Sequence, residues 1–427
     1  MASRSAEAAE IIFEESEVRE VVFENNRLKY VTTKEERGMG LRVIKEGRIG
    51  FSSTTDLSNP DRLVANALAS AQFGQEAKFT FPSRCVPTEV NVFDKAVAAQ
   101  PVARAVDEGR GAIDAILTSA PDVQCSAGVD RAVSAMRIFN TNGLDAEVHY
   151  SDYGIGLSAL RVQGESLIEI GEGEEHRSLT GRLDGHAAKI LEKLALCRRE
   201  INLPSETLPV LFMPKVVEVL LESLLVGTNG KTVQKGASPL AGKIGEKMLD
   251  GRVRLCDDPT VHLAPGSTPM DAEGLPCRET VLFDGGVLRS FIFDLQTAGL
   301  MGTQSTGHGM RGFTTQPSPG YTNIILSTGA LTLREMLREM KRGLIVEQVL
   351  GEGQSNVLAG EFSVNLDLAF LVENGEIVGR VKDCMVAGNV FDLWKEKLLA
   401  LGREAEWQGA LCAPPVLLDA VSVAGTE

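Results

Sequence analysis

Turn-forming residues set between apolar, β-branched runs are what most constrain this chain. Asn25-Asn26 and Glu46-Gly47 separate the strand-like segments Glu20–Asn25, Arg27–Thr33, Gly38–Lys45 and Arg48–Ser53. Thr141-Asn142-Gly143 parts Val123–Phe139 from Asp145–Tyr150, with a further run at Ile155–Val162. Later, Asp284-Gly285-Gly286 and Glu373-Asn374-Gly375-Glu376 lie between strand runs in the same way. Asn and Gly tolerate the left-handed backbone that tight hairpins need, so these positions predict antiparallel neighbours.

Helical signals are interleaved with the strands. Asn59-Pro60-Asp61 opens a helix with Leu63, Ala67, Leu68 and Ala71 at helical spacing. Pro101–Ser119 and Asp184–Arg199 follow, with Val90–Phe93 read as a short strand before them. The N-terminal stretch MASRSAEAAEIIFEESEVRE reads as an amphipathic helix. Mixed hairpins and helices predict an α+β fold. Pro204 and Pro209, flanking a polar Ser-Glu-Thr, mark a boundary between an N-terminal α+β domain (1–200) and a C-terminal antiparallel-sheet domain (201–427). The second half is expected to form a mostly antiparallel, barrel-like sheet from Val210–Phe212, Arg278–Phe283, Val287–Asp294, Thr322–Ser327, Leu344–Val349, Glu361–Glu373 and Glu376–Ala387. Helices are expected from Pro214, over Thr332–Lys341 and over Asn389–Leu401.

A formal net charge of −15, with no cluster of five or more Lys/Arg, disfavours nucleic-acid binding. No apolar run reaches the roughly 18–20 residues of a membrane span. The acidic N-terminus lacks a signal peptide's basic start, so a cytoplasmic protein is expected. Seven scattered cysteines without a CxxC pair fit reduced thiols rather than a disulfide framework.

Most motif-like phrases have plain structural readings. Gly227-Thr-Asn-Gly-Lys-Thr232 is too short for a phosphate loop and follows a helix instead of a strand. Gly351-Glu-Gly-Gln-Ser-Asn356 is an incomplete dinucleotide fingerprint and reads as a loop. Asp257-Asp258-Pro259, ahead of His262, is either a capped turn or an oxygen-rich metal site. Among only five histidines, His308 stands out, in Gln304-Ser-Thr-Gly-His-Gly309. Glycines around an imidazole and hydroxyls allow close backbone approach, so Ser305, Thr306, Gly307, His308 and Gly309 are candidates for peptide contact or an interface, beside a purely structural loop. Gly-rich strands ending in tight turns also lead us to expect edge strands within 278–370 that an extended peptide or partner can join.

An ordered series of phrases resembles the TldD/PmbA family, also called modulators of DNA gyrase. They are Ser267-Thr-Pro-Met-Asp-Ala-Glu-Gly274, Gln304–Gly309, Gly343-Leu-Ile-Val346, Leu371-Val-Glu-Asn-Gly-Glu-Ile377, Val386-Ala-Gly-Asn389, and the tail around Cys412 and Val423-Ala-Gly425. Gly38–Val43 is similar to the family's opening strands, and the histidine-bearing phrase resembles the PmbA/TldE branch more than the TldD branch. The resemblance implies a TldD subunit carrying one zinc on a helical HExxxH motif plus a distant cysteine. It also implies a TldE subunit without that motif, and extended peptides as substrates.

Placed on that pattern, Glu222 stands at the first histidine, Ser223 at the catalytic glutamate, Gly227 at the second histidine and Cys412 at the cysteine ligand. A hydrolytic zinc needs about three protein ligands and a base for its water. Glycine offers no ligand and serine no base at neutral pH. Lys215, Glu218 and Glu222 make a narrow polar stripe on an otherwise apolar helix, which reads as a core element. The expectation is a non-catalytic subunit without bound metal, acting with a zinc-bearing TldD-like partner on an extended peptide and forming a homodimer when alone. Two alternatives stay open: a stand-alone peptidase using His308, Asp257 and Glu222, or a regulatory protein-binding module.

Overall fold

In the computed structural model, which describes residues 5–164, 166–351 and 356–425, Asn25 and Asn26 take φ of 51° and 66° and Glu46 and Gly47 take 52° and 68°. Asn374 and Gly375 take 53° and 78°. Two left-handed residues in succession give the turn whose twist matches the strands on either side. Six antiparallel strands result: β1 (Ala8–Glu24), β2 (Arg27–Lys45), β3 (Arg48–Thr54), β4 (Val123–Asn140), β5 (Asp145–Gln163) and β6 (Ser166–His176). Their order is β3-β2-β1-β4-β5-β6. The helices α1 (Pro60–Ser70), α2 (Val102–Ser119) and α3 (Leu183–Leu196) lie where the sequence places them, α1 capped by the Asn59 side chain on Arg62 N–H.

The second half adds β7 (Glu206–Phe212), α4 (Glu218–Thr228), β8 (Leu255–Asp257), β9 (Ile324–Leu326), β10 (Arg342–Leu350), β11 (Glu361–Glu373), β12 (Met385–Asn389), α5 (Val390–Glu396), β13 (Leu411–Ala413) and β14 (Val416–Ala424). The pairings β7–β14, β14–β12, β12–β11, β11–β10 and β10–β7 close a five-stranded barrel; β10 and β7 run parallel and the other neighbours antiparallel. A second sheet, including Thr280–Asp284, β8, β9 and β13, lies beside it.

Strand alternation divides the interior. Val210, Phe212, Leu344, Val346, Val416 and Leu418 share a core with Leu220 and Leu224 of α4. The intervening Leu211, Ile345 and Leu417 share another with Ile113 and Ile116 of α2 and Ile190 and Leu194 of α3. The barrel strands are thus apolar on both faces, as a wall covered on each side must be. Trp394 of α5 is fully buried and its indole N–H donates to the Leu220 carbonyl at 2.8 Å, fixing α4 against the barrel.

Several sequence expectations need correction. Residues 8–20 of the expected N-terminal helix are extended, the first part of β1, which pairs with β2 on one side and β4 on the other. Ala and Glu favour helix locally, but two long ladders outweigh that weak preference. Val90–Phe93 forms no strand; Asn91 N–H is bonded to the His262 ring and Ser151 N–H to the Val92 carbonyl, in place of a ladder. The run Val287–Asp294 is strand only at Val287–Leu288. The helix expected over Asn389–Leu401 ends at Glu396, and Leu398–Leu401 pairs with β14 instead. β6 was not anticipated, and β2 and β5 each join two segments read as separate. For the Gly351–Asn356 loop, residues 352–355 lie outside those described. No described helix is long and apolar enough to cross a membrane.

Candidate functional site

The helix that carries Glu222, Ser223 and Gly227 is a packing element. Pro214 begins a short turn, Pro214–Val216, after which α4 runs to Thr228 with Val219, Leu220, Leu221, Ser223, Leu224, Gly227 and Thr228 buried. Glu222 is half-buried; burial, with Glu218 nearby, pushes its carboxyl above the usual range. Gly227 faces Leu240: a Cβ there would sit 2.9 Å from the Leu240 methyl, and Ser238 Oγ donates to the Gly227 carbonyl at 2.5 Å. The space a second histidine would need is filled by leucine. Thr228 hydroxyl shares a 2.7 Å bond with Tyr321, and Asn229 caps the next short helix, Gly230–Gln234, through Lys231 N–H. The phrase 227–232 therefore ends one helix and starts another.

Cys412 lies on β13, paired with Ile325 of β9 and with Trp407, and burial pushes its thiol up. Among the described residues no group of three or more His, Cys, Asp and Glu is arranged to hold a metal. Glu222, Ser223, Gly227 and Cys412 offer one carboxylate, one neutral hydroxyl, no side chain and one protonated thiol. This donor set does not fit a hydrolytic zinc.

The second sequence candidate is a dense buried loop. Thr306 N–H and the Ser305 hydroxyl donate to the Phe293 carbonyl at 3.1 and 3.0 Å, while Phe293 N–H donates to Thr306 Oγ1 at 2.7 Å. Gly307 is left-handed at φ 76°, and the Cys277 thiol donates to its carbonyl at 3.3 Å. Gly309 N–H donates to Asp271 Oδ2 at 2.9 Å, and any Cβ at 309 would collide with the Glu273 carboxylate at 2.5 Å. His308 is 1 % exposed; its Nδ1 bonds Thr306 Oγ1 at 2.9 Å, and its Nε2 points at Asp257 Oδ1 from 3.6 Å without a hydrogen-bond partner among the described residues. Asp257 is itself held by the Thr322 backbone N–H at 2.6 Å and by the Thr322 hydroxyl. Ser305 and Thr306 are half-exposed, whereas Gly307, His308 and Gly309 are buried.

His308 and Asp257 are therefore brought together, and Glu222 is joined to neither by a hydrogen bond or ion pair among the described residues. Asp258 makes a capped turn, its Oδ1 accepting from Thr260 N–H and hydroxyl at 2.9 and 2.6 Å.

Sequence reasoning missed what holds this loop. Arg42 of β2 is 2 % exposed; it donates to Glu10 of β1 through Nε (3.1 Å) and Nη2 (2.8 Å), and to Glu273 through Nη1 (2.8 Å). Arg311, two residues past Gly309, donates to Glu10 at 2.6 Å. Two buried guanidinium groups thus meet two buried carboxyl groups where the N-terminal sheet meets the loop. Burial pushes the Asp271 carboxyl upward against the pull of the Leu275, Gly309 and Glu273 N–H groups. Burial also raises Glu273, opposed by Arg42 and reinforced by Asp271 and Asp294.

Comparison with known proteins places this architecture. The model described as PmbA/TldA metallopeptidase C-terminal domain matches residues 205–425, and that described as domain 1 matches residues 9–71. The metalloprotease PmbA of Escherichia coli O157:H7 is 25% identical over 453 aligned positions, covering 100% of this chain and 94% of that protein. An uncharacterized protein of Methanocaldococcus jannaschii, MJ0231, is 26% identical over 381, covering 89% and 88%. The crystal structure of TldE from Thermococcus kodakarensis superposes with a TM-score of 0.91 at 23% identity, covering 99% of this chain and 98% of that one, and so shares the fold. With one family model spanning more than half of its length, this chain belongs to the PmbA/TldD metallopeptidase family.

Proposed function

We propose that this chain is the non-catalytic, TldE-like subunit of a TldD/TldE-type metallopeptidase that processes extended or unfolded peptides. The observation that carries the reading is the packing at Gly227: the helix facing the barrel core presents Glu222, Ser223 and a bare glycine backed by Leu240. These residues supply no three-ligand zinc centre, and Ser223, at the position of the base, takes no proton from a water at neutral pH. On this reading zinc belongs to a TldD-like partner, and this chain contributes the wall of a peptide path, with Ser305 and Thr306 at the accessible end of the His308 loop.

The test is reconstitution. The purified chain is assayed on unfolded casein, alone and mixed with a TldD-like chain bearing HExxxH, with zinc measured on each chain. Turnover only in the mixture, with zinc on the partner chain, is the expected outcome. Chelator-resistant turnover by the single chain that disappears in His308→Ala would instead establish the stand-alone peptidase.

A further inference from the structure

One face of the N-terminal sheet carries charges that are segregated rather than paired. Side chains two apart along a strand share a face, and so do directly opposed residues of neighbouring strands. The register sets Arg19 of β1 opposite Arg131 of β4, and Glu17 of β1 opposite Glu35 of β2 and Val133 of β4. Glu15 lies opposite Arg37 and Ala135, and Ala135 opposite His149 of β5. Like charges opposed across a ladder destabilise it. Here two such pairs, Arg19 with Arg131 and Glu17 with Glu35, occupy adjacent rows of one face.

The two arginines share a single carboxylate. Glu17 Oε1 accepts from Arg19 Nε at 3.1 Å and from Arg131 Nη2 at 3.2 Å. The Arg131 side chain is 7% exposed, and its Nε has no hydrogen-bond partner among the described residues. A buried donor is costly unless an acceptor reaches it. Glu15, Glu35 and Arg37 form no ion pair among the described residues. Beyond Arg131, Val133 and Ala135 continue the β4 row with short side chains. Together with Glu15, Glu35 and Ala98 of the short helix Lys95–Ala98, these three residues line a cleft of about 700 Å³. That is the size of a small-ligand site.

We propose that this cleft binds a short peptide through its two free termini, the carboxylate on Arg131 and Arg19 and the ammonium on Glu15 and Glu35. Charge complementarity selects that occupant. At one end two guanidinium groups face one carboxylate, Glu17, so the end lacks an anion. At the other, Glu15 and Glu35 flank one cation, Arg37, so the end lacks a cation. Glu36 also borders the cleft and adds negative charge there, while His149 is taken up by Glu147 at 2.9 Å. With strands about 4.8 Å apart and about 3.4 Å per residue, Arg131 lies about 12 Å from Glu35 and about 14 Å from Glu15 at Cα. An extended chain of three or four residues spans about 10–14 Å. A free amino acid spans too little to reach both ends. Peptides of that length with both ends free are what peptide hydrolysis releases, so the site is one for product rather than for long substrate. It needs neither zinc nor a second subunit, and failure of the reconstitution would leave it standing.

The experiment is isothermal titration calorimetry on the full-length chain at low ionic strength, where exposed charges are least screened. The probes are tetra-alanine, its C-terminal amide, its N-acetyl form and sodium acetate. Tetra-alanine should bind, and each blocked form should bind at least about tenfold more weakly. Arg131→Gln should weaken tetra-alanine about tenfold while leaving the amide unaffected. Glu15→Gln/Glu35→Gln should likewise remove the discrimination against the N-acetyl form. Thermal melts verify folding, and the blocked peptides decide the matter on the wild-type chain even if Arg131→Gln fails to fold. No binding of tetra-alanine at millimolar concentration, or equal binding of the blocked forms, overturns the proposal. An Arg131→Gln chain that still discriminates the amide overturns it as well. So does displacement of tetra-alanine by equimolar acetate, which would leave an anion site alone.

Discussion

Arg42 and Glu273, 231 residues apart in sequence, meet through a 2.8 Å charge-assisted bond with both side chains shielded from solvent. The guanidinium also bonds Glu10 and stacks over Phe79 and Phe81, at 4.7 and 5.0 Å from the ring centroids. One side chain therefore ties β1 and β2 to the 271–275 turn, whose Asp271 accepts from Gly309 beside His308.

Removing that cation would leave the buried Glu273 without its ion-pair partner and Glu10 with Arg311 alone. Arg42→Met is expected to cost about 3–5 kcal/mol of folding stability, the usual penalty for breaking a buried pair from one side. Arg42→Lys keeps the charge but loses the planar fork and the stacking, so it should also destabilise the chain, though less. Urea denaturation measures both. A loss under about 1 kcal/mol for Arg42→Met would show that the network is solvated.

The raised carboxyl of Glu273 has a definite pH signature. Its folded-state pKa lies above the unfolded value, so the folded chain holds the proton more tightly. Stability from this group is then fully present below the ordinary glutamate range, about pH 4, and falls as pH rises through the folded pKa. Glu273→Gln removes the titration. The melting temperature of the variant minus that of the wild type should rise between about pH 4 and pH 8. A difference that is flat or declines with pH would mean that Arg42 keeps Glu273 ionised throughout.

Cys412 supplies a chemical test of the proposed absence of zinc. Burial holds its thiol above the normal range, which leaves little thiolate near neutrality. Iodoacetamide at about pH 7 should label it at least about tenfold more slowly than a free cysteine, followed by mass spectrometry of the tryptic peptide. Added zinc should not change the rate. Protection of Cys412 by stoichiometric zinc would contradict the non-catalytic assignment.

Local chemistry made much of the fold legible, because some residues specify a backbone state on their own. Asn25-Asn26 and Asn374-Gly375 are turns because Asn and Gly tolerate positive φ, as Gly47 does after Glu46, and Thr332 with Glu335 encodes a full capping box at the start of Leu333–Met340. What could not be read depends on distant partners. The Ala- and Glu-rich N-terminus becomes a strand only because β2 and β4 flank it. Nothing periodic in the sequence links Arg42 to Glu273, or marks Glu10 as buried. At the candidate site the sequence grouped His308 with Asp257 and Glu222, and only the first two are brought together. Their 3.6 Å approach arises from the Thr322 and Thr306 bonds that position each one.

Gly227 offers the most direct probe of whether a metal site could be restored on α4. Adding one methyl recovers about 1 kcal/mol of helix propensity while pressing on a flexible Leu240 terminus, so Gly227→Ala should cost no more than about 1–2 kcal/mol. Gly227→His places a ring where Leu240 sits and should cost at least about 3 kcal/mol. If Leu240 is the obstacle, Gly227→His/Leu240→Ala should be more stable than Gly227→His alone, even though Leu240→Ala by itself opens a cavity worth about 2–5 kcal/mol. Thermal melts of the four variants decide it. A Gly227→His chain as stable as wild type would show that the helix has room for an imidazole, and that sequence rather than packing keeps the ligand out.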